Sequence, residues 1–102
     1  MNVIYSDPLL QQPTACLEEI IAPSIFADQV QAEWDRGQDL KGHTLFTLRL
    51  SAWGESAAAS FTPRDLRDLR EVRWRLRNLW DDLLRLSIER SLKNLLKGSD
   101  DA

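Results

Sequence analysis

The sequence predicts an α+β fold: an N-terminal helix in one or two pieces, a β-hairpin, and a long C-terminal helix packed on the hairpin. Three observations predict it. Residues 62–97 carry apolar side chains at helical spacing between a capped start and a glycine. Residues 44–52 alternate along two faces, as a half-buried strand does. Residues 14–36 place apolar residues three and four apart behind a threonine. At 102 residues the chain is expected to form a single small domain.

Residues 1–13 read as a short strand at Asn2-Val3-Ile4-Tyr5 followed by loop, or as an extended arm. Thr14 is a cap candidate for the first helix, with Leu17, Ile20 and Ile21 on one face. Pro23 lacks an N–H, so a helix cannot run cleanly through it, but it can open a second piece at its first turn. In that piece Ile25 or Phe26, Val30 and Trp34 lie four apart, Gly37 ends the helix, and residues 35–39 form a polar connection.

The period then changes from 3.6 to 2. Phe46, Leu48, Leu50 and Ala52 share one face, while Leu45, Thr47, Arg49 and Ser51 share the other. Gly54-Glu55 fits a two-residue turn with glycine first, which would pair Trp53 with Ser56, Leu50 with Ala59 and Leu48 with Phe61. An isolated hairpin is marginal. This one needs helices on its face, a third strand from residues 3–5, or another chain at its open edge.

Residues 62–97 open with Thr62 at the N-cap, Pro63 at N1 and Asp65 at N3, and Gly98 follows as a C′ candidate. Leu69, Val72, Leu76, Leu79, Trp80 and Leu83 make one stripe. Leu84, Ile88, Leu92 and Leu95 continue on a face rotated by roughly a quarter-turn. A continuous helix of this span would run about 50 Å, too long for a compact body of this size, so it breaks near Ser87 or its last turns pack on something else. Residues 98–102 are expected to form a disordered acidic tail.

The net charge of −3 hides an asymmetry. Residues 1–62 carry three basic and eight acidic side chains, whereas residues 63–97 carry ten basic and six acidic. One cysteine excludes an intramolecular disulfide. No apolar run approaches a membrane span, and the first residues lack the basic and apolar regions of a signal peptide, so a cytoplasmic protein is expected.

Enzymatic chemistry finds little purchase. His43 is the only histidine and Cys16 the only cysteine, and neither sits in a nucleophile or general-base motif. No metal-ligand spacing and no glycine-rich phosphate loop occurs, so no cofactor, metal or small-molecule substrate is expected. The readings point to a non-enzymatic protein that binds another protein or a second copy of itself through the long helix.

Six arginines fall within residues 64–77, interleaved with Asp65, Asp68 and Glu71 at spacings that suit i,i+4 pairs. Arg and Trp are enriched at protein interfaces. The expected contacts are therefore Arg70, Arg73, Trp74 and Arg77, continued by Ile88, Leu92 and Leu95. The alternative is a nucleic-acid-binding regulator in which the arginines meet phosphates and Trp74 stacks on a base.

Overall fold

In the computed structural model, which describes residues 2–4 and 7–100, four strands form one sheet in the order β1-β2-β3-β4. The strands are β1 (Asn2–Ile4), β2 (Gln31–Gln38), β3 (Thr44–Ala52) and β4 (Glu55–Phe61). Helices α1 (Gln11–Ile21), α2 (Pro63–Arg67) and α3 (Leu69–Asp100) supply the apolar layer that covers one face. The fold is α+β. β1 and β2 run parallel with α1 between them, and β2-β3-β4 is an antiparallel meander.

The core follows the alternation of the strands and the stripe of the long helix. Phe46, Leu48, Leu50 and Ala52 are buried, as are Val72, Leu76, Leu79, Trp80 and Leu83. α1 adds Cys16, Leu17 and Ile21. The opposite sheet face is open and polar. Thr47 and Ser60 hydroxyls sit 2.9 Å apart there, and Glu33 pairs across from Arg49.

Several expectations fail for local reasons. The second helical piece does not form. A 3₁₀ turn at Ala27–Gln29 leads into β2, Trp34 lies on a strand, and Ile25 stands 88% exposed. Val30, Ala32 and Trp34 are all buried, which is period 2. Gly37 is paired with Leu45 inside the sheet, and the polar connection is the turn at 39–42, closed by the Gly42 N–H donating to the Asp39 carbonyl. α1 begins at Gln11, so Thr14 lies inside it and Pro13 in its first turn. The strand expected at the start is present as β1; Tyr5 lies outside the described residues.

The hairpin exists, but its register differs by two residues from that expected. The turn is Trp53-Gly54, and Leu50 faces Ala57, Leu48 faces Ala59 and Phe46 faces Phe61. Both turn residues have positive φ, 55° for Trp53 and 76° for Gly54, the mirror-image turn that matches strand twist. A shift of two keeps every side chain on its expected face.

The long helical segment breaks at Asp68 rather than near Ser87. Asp68 is extended (φ −97°, ψ 91°) and its side chain accepts from the Glu71 N–H at 3.3 Å, capping α3. Leu69, assigned to the core stripe, is therefore the first residue of α3 and 38% exposed. α3 then runs unbroken through Ser87 and past Gly98; of the tail expected at 98–102, residues 98–100 continue the helix and 101–102 lie outside the described residues. Its 32 residues span about 48 Å. The radius of gyration is accordingly 15.7 Å, against about 13 Å for a compact chain of this size.

A candidate interaction surface on the long helix

α3 is anchored along its first half and, farther along, through Arg90. Thr62 and Asp65 form a reciprocal capping box at the entrance: Asp65 N–H donates to Thr62 Oγ1 at 3.1 Å, and Thr62 N–H to Asp65 Oδ2 at 3.0 Å. The Thr62 N–H is the main cause holding the Asp65 carboxyl below its ordinary range, and the nearby Arg75 and Arg64 charges add to it. Arg75 lies 4.2 Å over the Phe61 ring and donates to the Ser60 carbonyl at 2.5 Å. Farther along, Arg90 Nη1 donates to the Trp53 carbonyl at 3.3 Å and lies 3.5 Å from Glu55 Oε1. Trp53 in turn packs on Phe26 and Trp80 at centroid distances of 5.4 and 6.3 Å.

These anchors fix which side of α3 faces solvent. Advancing 100° per residue, Arg70, Trp74, Arg77, Ile88, Leu92 and Leu95 fall within one sector of the helix, turned away from Val72, Leu76 and Leu83. Arg73 lies at its margin. The exposures agree: Trp74 63%, Ile88 61%, Leu92 55% and Leu95 69%. All seven residues expected as contacts therefore lie on one side of the helix, basic and aromatic at its start, apolar toward its end.

The upper part is concave. Leu69, Arg70, Arg73, Trp74 and Arg77 line a shallow depression of about 420 Å³. Trp74 also borders a second one of about 200 Å³, shared with Ala58, Ala59 and Asn78. Arg73 meets Glu19 of α1 at 3.3 Å. Among the described residues, the Arg70 and Arg77 guanidinium groups make no hydrogen bond or ion pair. The i,i+4 pairs expected between Arg64 and Asp68, Arg67 and Glu71, and Glu71 and Arg75 do not form; Arg75 pairs instead with Asp65 at 3.5 Å.

The two residues weighed for catalysis are apart in kind. Cys16 is buried in α1, and His43 stands exposed beside Asp39, with Nδ1 3.5 Å from Oδ2. Among the described residues no group of three or more His, Cys, Asp or Glu could hold a metal ion, and no helix is long and apolar enough to cross a membrane. Sequence reasoning missed Arg90 and the structural part of Arg75, because their partners lie on the hairpin and no local spacing announces them. Comparison with known protein families, curated proteins and solved structures finds no match.

Proposed function

We propose that this chain is a small non-enzymatic interaction protein of the cytoplasm, an accessory subunit, adaptor or homodimeric regulator, and that α3 carries its binding surface. The observation that carries the reading is the continuous exposed side of α3, where Trp74, Ile88 and Leu92 are each more than half exposed beside the unpaired Arg70 and Arg77. Large apolar side chains aligned on one side of a rigid helix suit a partner's groove or helix, and unpaired guanidinium groups suit acidic side chains at its rim. Copurification from the native cell tests it. A partner held by the wild-type chain should be lost from both Arg70→Glu/Arg77→Glu and Ile88→Glu/Leu92→Glu; a partner retained by both pairs of substitutions would contradict the reading.

A second reading rests on the depression of about 420 Å³, where Arg70, Arg73 and Arg77 surround the exposed Trp74 ring. That arrangement suits a stacked base with flanking phosphates. It predicts that a labelled single-stranded oligonucleotide binds at low salt, that binding weakens as salt rises, and that Arg70→Ala and Arg77→Ala weaken it similarly. Absence of binding at low salt would remove it.

A further inference from the structure

Among the described residues the sheet ends in β1 on one side and β4 on the other. β1 pairs with β2 over Gln31–Glu33, and Arg36 meets Asp7 at 3.9 Å beyond it. Among the described residues no strand lies on the outer side of β4. β4 carries few of the usual protections of an edge: it has seven residues, no Lys or Pro and an unbroken register with β3, and Arg75 reaches its outer side at the Ser60 carbonyl. Its one charged residue, Glu55, is taken up by Arg90.

The turn sets which backbone groups point outward. A two-residue hairpin closes on a hydrogen-bonded pair, here Ala52 with Glu55. Glu55, Ala57, Ala59 and Phe61 therefore bond inward to β3, and the N–H and C=O groups of Ser56, Ala58 and Ser60 point to the open edge. The Ser60 carbonyl confirms the direction, because Arg75 reaches it from outside at 2.5 Å and leaves its second lone pair available.

We propose that β4 is a self-pairing edge, through which two copies of this chain join antiparallel about a twofold axis at Ala58 into one continuous sheet with their α3 helices side by side. In this register Ala58 bonds to Ala58 of the second copy, and Ser56 bonds to Ser60, so every outward group of the strand is satisfied. Serine and alanine side chains leave nothing bulky between the two strands.

The helix carries an independent match to the same axis. Ala58 and Asn78 border one depression, so an axis at Ala58 meets α3 at the level of Asn78. Antiparallel helices centred on Asn78 place Glu71 opposite Arg85 of the second copy, an arginine that also meets Asp82 of its own chain at 2.6 Å. Displacement by four residues in one direction sets Glu71 against Glu89; in the other it sets Glu71 against Asp81. The charge pattern thus favours one register, and it is the register that the strand requires. Trp74, exposed beside the same depression, would be covered by the second copy, while Arg70, Arg77, Ile88 and Leu92 remain for another partner.

Sedimentation of the full chain over a concentration series tests the proposal. The wild type should reach twice its 11.7 kDa mass. Ala58→Pro removes only an outward N–H and should leave a folded monomer by circular dichroism. Glu71→Arg alone should weaken the dimer, and Glu71→Arg/Arg85→Glu should restore it; Ile88→Glu/Leu92→Glu should leave it intact. A wild type that stays monomeric across the whole series, or a dimer indifferent to both Ala58→Pro and Glu71→Arg, would overturn the proposal. A monomer that binds an added extended peptide along β4 would also overturn it, assigning the edge to strand addition from another protein. The proposal shares Trp74 and one flank of α3 with the surface assigned above, but its substitutions and those at Ile88 and Leu92 read out separately.

Discussion

Trp34 Nε1 donates to Thr14 Oγ1 at 3.1 Å, joining β2 to α1 inside the core. Both residues are buried, at 7% and 3% exposure, so neither polar atom has water to fall back on. Thr14→Val keeps the shape and leaves the indole N–H unsatisfied. The expected loss is about 1–3 kcal/mol, read as a lower urea midpoint with an unchanged slope.

Gly54 is fixed by two constraints at once. Its φ is +76°, and a Cβ there would collide with the Arg90 guanidinium. Gly54→Ala should destabilise the chain by about 1–2 kcal/mol, combining left-handed strain with displacement of the arginine. Arg90→Ala relieves the collision, so the double substitution should lose less than the sum of the two singles. Thermal or urea unfolding of the four proteins closes the cycle.

Asp65 makes part of the stability pH-dependent. Its folded carboxyl lies below its ordinary value of 3.8, chiefly through the Thr62 N–H. A depressed carboxylate contributes stability above its unfolded pKa and loses it as pH falls through the folded one. Asp65→Ala should therefore cost about 1 kcal/mol near neutrality. The gap to wild type should narrow below about pH 4. A gap unchanged at pH 2–3 would show that the capping box is not its source.

The exposed end of α3 should be dispensable to folding. Ile88→Glu/Leu92→Glu changes side chains that are 61% and 55% exposed, and should move stability by no more than about 0.5 kcal/mol. Leu76→Ala, at a fully buried position on the same helix, should cost about 2–5 kcal/mol. Denaturant unfolding of the two variants separates the binding side of the helix from its core side.

How far the fold could be read follows from which periods are unambiguous. Val72, Leu76, Leu79, Trp80 and Leu83 fit only a helix, and Phe46 to Ala52 only a strand, so α3 and the hairpin were legible. Val30 and Trp34 were not: a spacing of four suits both periods, and the residue between them, Ala32, is too small to stand out as apolar. The hairpin register was missed because Trp53 adopts a positive φ that bulky residues rarely take, with a strain of about 1–3 kcal/mol that its contacts with Phe26, Trp80 and Gln29 offset. On α3 the shared side of Arg70, Trp74, Ile88 and Leu92 could be read from spacing alone. That Arg75 belongs to Phe61 and Arg90 to the hairpin turn could not, because those partners are 14 and 37 residues away in sequence.

Site-specific photo-crosslinking in the native cell tests most directly whether α3 is the working surface. A photoreactive residue replaces Arg77, Ile88 or Leu92 in turn, with exposed Leu40 in the β2–β3 turn as the control. The account predicts one discrete protein adduct, the same from all three helix positions and absent from Leu40. No adduct from the helix, or the same products from Leu40, would contradict it.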